Sequence, residues 1–459
     1  MPVQIANPEQ PHIQAKFDQG LRAGLACLPG PSPSALLSAV SGGPDSLALA
    51  LLAEGWAARA GCLHSAVIID HGLRPAAAQE AAETARQLGT LQIAWRIEKL
   101  AGPPPSSGVQ EWARRQRRQL LAAIAREQGA VVLTGHQAAD QAETIAMRLA
   151  KGSGLAGLAG MGVASWAEGA LFVRPLLQAG RAETEGFCHS AGLRPVRDPS
   201  NQDRRFERVR TRQLLAACPE LAPQLHRLGR VSQHLQAGLD AGLAEFLAHS
   251  LDWRPPLEAR LPLAAFLDLP DRAAQRLLSL MLPVIGGRDH PPAMRAVTAL
   301  LAGLRTGRAA TLSDCLVQPL GSELRLMAEA GRQPPTLQMP LPARAVFDGR
   351  WLVSSAHPVR WTILGQAGYD ALDRKSAFFD QLRVWSAPAR RCFPVALPLD
   401  AGATGPQIYP EFVSQLCGPG QSAVPERQPA AVQVSPLPRG DNPFRLVTGP
   451  ESGENPSRP

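Results

Sequence analysis

The stretch that most restricts this chain is a small polar loop set between two apolar runs. Residues 40–46 read Val-Ser-Gly-Gly-Pro-Asp-Ser; an apolar run at 35–40 leads in and another at 47–60 leads out. The first run reads as a strand and the second as a helix, so the loop reads either as a plain Ser-Gly-Gly-Pro turn or as a phosphate cradle, and the rest of the chain decides between them. Gly42 and Gly43 let backbone N–H groups approach an anion with no Cβ in the way. The start of the helix adds unpaired N–H donors and a partial positive charge. Ser41 and Ser46 add hydroxyls, and Asp45 offers a carboxylate to a metal or an amine. The loop lacks the Lys of GxxxxGK[ST] and does not have GxGxxG spacing, so it belongs to neither of those two nucleotide loops.

The pattern around the loop is one of alternating elements. Strands are predicted at 35–40, 65–70, 91–97, 130–134 and 171–176, with helices at 46–60, 76–88, 109–128 and 139–150 between them. Continuous apolar strands separated by helices imply an α/β fold with a doubly wound parallel sheet covered on both faces. Such sheets bind ligands outside the carboxyl ends of their strands, which gathers residues 41–46, 70–74 and 135–136 around one crevice.

The domain reading follows from composition and periodicity. Residues 1–30 form a leader with some helix, and 31–215 the crevice domain. Residues 216–330 form a helical second domain, with a long helix at 221–251, shorter ones at 261–267, 271–282 and 292–304, and a small strand group at 310–327. After a Pro-rich joint at 333–342 comes a small strand-rich C-terminal module at 343–417, whose best strands are 346–354 and 359–364. From 418 to 459 Pro, Gly, Ser and Gln dominate, the composition of a disordered tail.

Composition narrows the class further. A chain of 459 residues can bury two or three cores. The net charge of +8 points to a polyanionic partner, weakly, because only four residues are Lys and the Arg content fits a coding bias. None of the seven cysteines forms a Cys-x-x-Cys pair, so zinc and iron–sulfur spacings are absent, and scattered thiols fit a reducing compartment. No run has the length of a signal core or a membrane span. Cytoplasm, with no membrane partner, is the expected location.

Four further segments carry chemistry. Asp70-His71-Gly72-Leu73-Arg74 follows the second strand and brings a carboxylate, an imidazole and a guanidinium to the crevice. In the helix at 109–128, Arg114 shares a face with Arg117 and Arg118, and Arg forks bind phosphate bidentately. At 135–144, Gly-His-Gln-Ala-Ala-Asp-Gln-Ala-Glu-Thr, a strand ends at His136 and a helix begins. Asp140 and Glu143, three apart, share a face in its first turns, where they can hold Mg²⁺ or grip an ammonium group. Arg204, Arg205, Arg208, Arg210 and Arg212 follow the turn-rich 194–203 segment and suit an RNA backbone, unless they form a solvated helix face.

SGGPDS resembles the pyrophosphate loop of the N-type ATP pyrophosphatases, the PP-loop superfamily of adenine nucleotide alpha hydrolase-like fold. With DHGLR (70–74), AR..R (113–117), GH…DQAET (135–144), GSGLAGL (152–158), RPLL (174–177) and DPSNQD (198–203), the chain over about 35–215 resembles the tRNA(Ile)-lysidine synthetase family. The resemblance implies that ATP adenylates O2 of the wobble cytidine of a tRNA(Ile) with a CAU anticodon, after which L-lysine attacks C2 and AMP leaves. It implies ATP binding by Ser41, Gly42, Gly43, Pro44, Asp45, Ser46, Asp70 and His71, and catalysis by Asp45, Arg114, His136, Asp140 and Glu143. Arg114 and His136 would neutralise phosphate oxygens, Asp140 and Glu143 would hold lysine, and Asp45 would reach Mg²⁺. The helical domain and Arg204–Arg212 would hold tRNA. A monomer and a homodimer are both compatible with the pattern.

This sequence departs from the family pattern at Ala139, where an acid is usual, at Arg118, where an aromatic is usual, and at Val209, where Asn is usual. Ala139 weakens a two-carboxylate metal clamp and keeps open a catalytically impaired RNA-binding paralogue. A tRNA thiolase on the same ATP chemistry needs cysteines that are not paired here. A glutaminase-coupled synthetase needs an upstream domain for which the leader leaves no room.

Overall fold

A computed structural model describes residues 10–28, 33–70, 72, 77–100, 102, 105–196, 205, 207–288, 290–331, 333–340, 343–355, 358–399 and 432–436. The chain divides into two compact units after Ala241.

The first unit is built on α1 (Gln10–Leu25), β1 (Ala35–Val40), α2 (Pro44–Ala60), β2 (Leu63–Asp70), α3 (Ala77–Thr90), β3 (Trp95–Lys99), α4 (Val109–Gln128), β4 (Ala130–Thr134), α5 (Ala138–Ala150), α6 (Leu155–Leu158), β5 (Ala164–Ala167), β6 (Ala170–Val173), α7 (Arg181–Ser190), α8 (Glu207–Ala217) and the part of α9 (Leu221–Ser250) up to Ala241. Six strands form one sheet in the order β3-β2-β1-β4-β6-β5, parallel except for the edge strand β5. The doubly wound parallel sheet expected from the sequence is therefore present. Its fifth strand is the second arm of a β5–β6 hairpin, turned by Glu168 and Gly169 at φ 52° and 72°.

Alternation along each strand explains the continuous apolar runs. Leu36, Val131, Leu133, Leu171 and Val173 face α1 and α2, whereas Leu37, Val67, Val132 and Phe172 face α4. With both faces covered, no strand position can be polar without a partner. The segment read as a leader belongs to this core. Ile13, Phe17 and Leu21 recur every four residues in α1 and are at most 1% exposed; each contributes about 1.5–3 kcal/mol of burial. Gly20 and Gly24 let the helix lie close, since a Cβ at either would collide with the Pro175 backbone or Val173.

The second unit continues from α9 with β7 (Asp252–Arg254), β8 (Glu258–Pro262), α10 (Leu263–Leu267), α11 (Asp271–Gly286), α12 (Met294–Arg305), β9 (Ala310–Leu312), β10 (Cys315–Leu320) and β11 (Glu323–Ala328). It goes on with β12 (Leu337–Met339), β13 (Ala343–Phe347), β14 (Trp351–Ser355), β15 (Val359–Ile363), α13 (Gly365–Asp370), α14 (Ala377–Leu382), α15 (Ala387–Arg391), β16 (Pro394–Pro398) and β17 (Val432–Pro436). A five-stranded sheet, β7-β8-β11-β10-β9, carries the apolar stripe of α11, and two three-stranded sheets follow. Two local expectations change. The run read as helix from 261 begins as strand β8, and 346–354 is a hairpin rather than one strand, because Asp348 and Gly349 turn the chain at φ 54° and 62°. Within the tail read as disordered, Val432–Pro436 pairs with β14.

One buried polar chain lies within the first unit. Ser38, fully buried in β1, bonds His64 Nε2 at 2.8 Å, and His64 Nδ1 bonds Glu54 Oε2 at 2.7 Å. A carboxylate only accepts, so Nδ1 carries the proton and Nε2 accepts from the Ser38 hydroxyl. Burial, opposed by Glu54, lowers the His64 pKa from its ordinary value of 6.5. The unfolded chain therefore binds the proton more readily than the native one, and stability is complete above the unfolded pKa and falls as pH drops through it. A tenfold difference in proton affinity between the two states corresponds to about 1.4 kcal/mol. We predict that the thermal midpoint rises by a few degrees between pH ~5.5 and ~7.5 and that His64→Gln flattens this rise, as differential scanning calorimetry would detect.

Candidate active site

The strand order reverses between β1 and β4: from β1 the chain winds outward to β2 and β3, and from β4 to β6. A crevice opens at such a point, and the polar loop occupies it. Gly42 lies at φ 82°, where an L side chain is strained, and a Cβ there would also press on Thr84 and Val196. Val196 N–H clamps the loop through Gly42 O at 2.8 Å. Gly43 is the N-cap of α2 and Pro44 opens the helix, where its missing N–H costs nothing. Ser46 is nearly buried; its Oγ donates to Gly43 O at 2.9 Å and accepts from Ser41 N–H at 3.1 Å. The hydroxyl therefore shapes the loop before it meets any ligand.

Gly135 fixes the opposite wall. A Cβ there would stand 2.9 Å from Asp45 O and 3.1 Å from Ser46 N, so only glycine lets the end of β4 pass the first turn of α2. Asp45 Oδ1 accepts from the Thr184 hydroxyl of α7 at 2.6 Å. Its pKa is raised by burial, against the Thr184 bond, with Asp140 adding to the rise. Cys188 Sγ, also from α7, bonds Pro44 O, and burial pushes its thiol up to about 12, so it packs and does not react.

The cleft encloses about 1910 Å³ and is lined by the loop, by Arg114 and Arg117 of α4, by His136, by the first turns of α5 and by α8. His136 Nδ1 bonds the Thr134 hydroxyl at 3.1 Å. Burial, then Arg174, Arg208, Arg117 and Arg114, pushes its pKa down to about 3. A pKa held this low leaves the His136 ring neutral in the free protein, with the positive charge around it on the arginines. Arg174 is itself lowered to about 10 by burial and by Arg114, while donating to Gly162 O and Ser165 Oγ at 3.0 Å. Arg117 is lowered by the protein around it and by Arg114, although its side chain opens to the cleft. Mutually repelling guanidinium groups around a cavity give it a positive potential.

The acidic half lies on α5. Asp140 Oδ2 accepts from Gln137 N–H at 3.0 Å, and the Gln137 side chain accepts from Ala139 N–H at 3.3 Å, capping the helix. Asp140 Oδ1 meets Arg208 Nη2 at 2.6 Å, and Arg208 Nε meets Glu143 Oε2 at 2.6 Å. Arg212 Nε meets Glu143 Oε1, also at 2.6 Å. Glu143 is 2% exposed, so its charge is held by two forks rather than by water. Arg208 and Arg212, expected to face RNA, thus face these acids instead. Arg205 and Arg210 are exposed, with Arg210 Nη1 donating to Arg205 O.

Other sequence candidates fall as follows. Asp70 is buried and its Oδ1 closes a turn by accepting from Gly72 N–H at 2.9 Å. His71, Arg74, Arg204 and the 198–203 motif lie outside the described residues. Thr184 and Val196 escape a reading of the sequence: each supports the loop from more than a hundred residues away, without a local signal. Among the described residues no three His, Cys, Asp or Glu side chains cluster as a metal site, and no helix is long and apolar enough to cross a membrane.

The PP-loop domain family matches residues 10–218. The chain is 35% identical to tRNA(Ile)-lysidine synthase of Ruegeria pomeroyi, covering 72% of this chain and 79% of that one. It is 37% identical to the Hyphomonas neptunium protein of the same name, covering 68% and 86%. A solved U34-tRNA thiolase from Methanococcus maripaludis aligns at TM-score 0.42 and 16% identity over 50% of this chain and 79% of its own. The phosphate loop at the switch point, its match to the PP-loop domain and this level of identity together place the chain in the tRNA(Ile)-lysidine synthase family of ATP-binding, tRNA-modifying ligases.

Proposed function

We propose that this protein joins L-lysine to C2 of the wobble cytidine of a tRNA(Ile) with a CAU anticodon, using ATP. The observation that carries the proposal is one cleft in which a phosphate loop, an arginine wall and a carboxylate pair meet. Cytidine O2 attacks the α-phosphorus, the bond to the β-phosphate oxygen breaks and pyrophosphate leaves. The lysine ε-amine then attacks C2, the C2–O2 bond breaks, AMP departs with that oxygen, and the amine loses its proton.

The chain's own residues divide this work. N–H groups of the Ser41–Ser46 loop receive the pyrophosphate as charge develops on it. Arg114 and Arg117 offset the remaining phosphate charge, and His136 supplies a neutral ring whose basicity rises once an anion binds. Asp140 and Glu143 recognise the substrate ammonium, and much of the rate comes from positioning. Mg²⁺ fits beside Asp45: one carboxylate plus substrate phosphates is a common Mg²⁺ donor set, and a cation there would relieve the repulsion that Asp45 feels from Asp140. Bound there, the ion would neutralise phosphate charge. Arg205 and Arg210 offer exposed charge to the tRNA backbone. Action in the cytoplasm and a tRNA-binding role for residues 216–330 belong to the same proposal.

Three outcomes test it. Asp45→Ala should lower formation of adenylated tRNA by roughly 10²–10³-fold while the far-UV spectrum stays native; near-normal AMP release with tRNA and lysine would remove Asp45 from the site. Glu143→Gln and Asp140→Asn should raise the KM for lysine by roughly ten- to a hundredfold and that for ATP much less, since a charge-assisted bond is worth about 1.5–3 kcal/mol. Failure of both variants to adenylate tRNA at saturating ATP and Mg²⁺ would instead assign these acids to the metal. Arg205→Ala and Arg210→Ala should each reduce the slope of log K against log salt for tRNA binding by about one unit; unchanged slopes would exclude them from the interface.

A further inference from the structure

Arg208 stands in both halves of the cleft. Its Nη2 and Nε hold Asp140 and Glu143, each at 2.6 Å, and its charge is among those depressing His136 with Arg174, Arg117 and Arg114. The acids are thus already neutralised by guanidinium groups of the same chain, with Arg212 on the remaining Glu143 oxygen. An ammonium group entering this cleft meets a filled carboxylate pair and an excess of fixed positive charge. A phosphate group entering meets the opposite: an arginine cluster whose members repel one another, with Arg208 at its border.

We propose that Arg208 is a positioning residue that couples the two substrates: a phosphate oxyanion in the cleft draws its guanidinium from Asp140 and Glu143 and so opens them to the amine. This rests on the lysine assignment made above. Guanidinium–carboxylate and guanidinium–phosphate forks are equivalent in geometry and charge, so the exchange loses no bond type. Phosphate also removes the local positive excess that opposes an ammonium ion, so both effects favour lysine after the phosphate ligand. Arg212 stays on Glu143 and keeps that buried carboxylate paired. The phosphate can belong to the nucleotide or to the tRNA backbone.

Calorimetric titration of L-lysine into the full-length protein tests this in three states: alone, with a non-hydrolysable ATP analogue and with a tRNA(Ile) transcript. The Kd for lysine should fall at least ~10-fold in one or both liganded states, and the state in which it falls identifies the phosphate source. In Arg208→Gln the Kd should be nearly the same in every state, with Arg208→Lys intermediate; thermal melts establish that each variant is folded. A wild-type Kd unchanged by both ligands overturns the coupling without any variant, and an Arg208→Gln protein that keeps the full ligand dependence overturns the role of Arg208. Glu143→Gln distinguishes the underlying reading. If it binds lysine like the wild type in the liganded state, the lysine assignment fails; if it loses binding while the wild type shows no ligand dependence, only the coupling fails.

Discussion

Gly135 and the first turn of α2 occupy a space that no side chain can share. A Cβ at Gly135 would press on Asp45 O and Ser46 N, and these atoms belong to the loop that Gly42 and Gly43 bend into place. The contact exists because β1 and β4 are neighbours where the strand order reverses. It sets how far the loop stands from His136 and from the acids of α5. Thr184, Cys188 and Val196 then hold the loop from the other side through Asp45, Pro44 and Gly42. The path of the loop is accordingly set by contacts from β4, α7 and the segment after α7, the kind of support that electrostatic preorganisation requires.

Charge is distributed unevenly around this frame. Arg114 and Arg117 of α4 and Arg174 at the end of β6 repel one another, while Arg208 and Arg212 of α8 are paired with Asp140 and Glu143. A neutral His136 follows, because an imidazolium would add another positive charge to a desolvated cluster. The carboxylate pair tolerates burial for the complementary reason: both Glu143 oxygens accept from guanidinium forks, and an unpaired buried carboxylate would cost several kcal/mol. In the free protein the acids are thus paired and the arginines around His136 are not offset by them.

Strands β1, β2 and β4 were legible because they run through the middle of the sheet and read as apolar runs; the edge strand β3, Trp95–Lys99, is exposed or half-buried along its length and begins four residues later than the run at 91–97 suggests. The loop was legible because glycine and proline mark the backbone conformations that it needs. The hairpin within 343–355 carried a signal, Asp348-Gly349, that the apolar run around it outweighed. The β5–β6 hairpin depends on short strands whose partners lie across the sheet. The α1 stripe was present at 13, 17 and 21, but nothing local told that a surface existed to receive it. Least legible were the ion pairs, since Arg208 and Glu143 are 65 residues apart and an arginine facing an acid looks the same in sequence as one facing RNA.

Of the three departures from the family pattern, Ala139 and Val209 line the cleft and Arg118 stands on the face of α4. Ala139 is exposed at the cleft and contributes its N–H to the Gln137 cap, so the helix start is unaffected and only a negative charge is missing. Arg118 faces Glu168 at 3.7 Å, at the turn of the β5–β6 hairpin, an ion pair on the rim of α4 rather than in the arginine cluster. Val209 is buried on α8 between Arg208 and Arg210, and apolar packing there seats the helix while its neighbours point to the acids and to the exterior. In each case the backbone path and the flanking charged residues carry the geometry. On the coupling proposed above, the missing acid at Ala139 would raise the positive excess of the cleft and favour phosphate before amine.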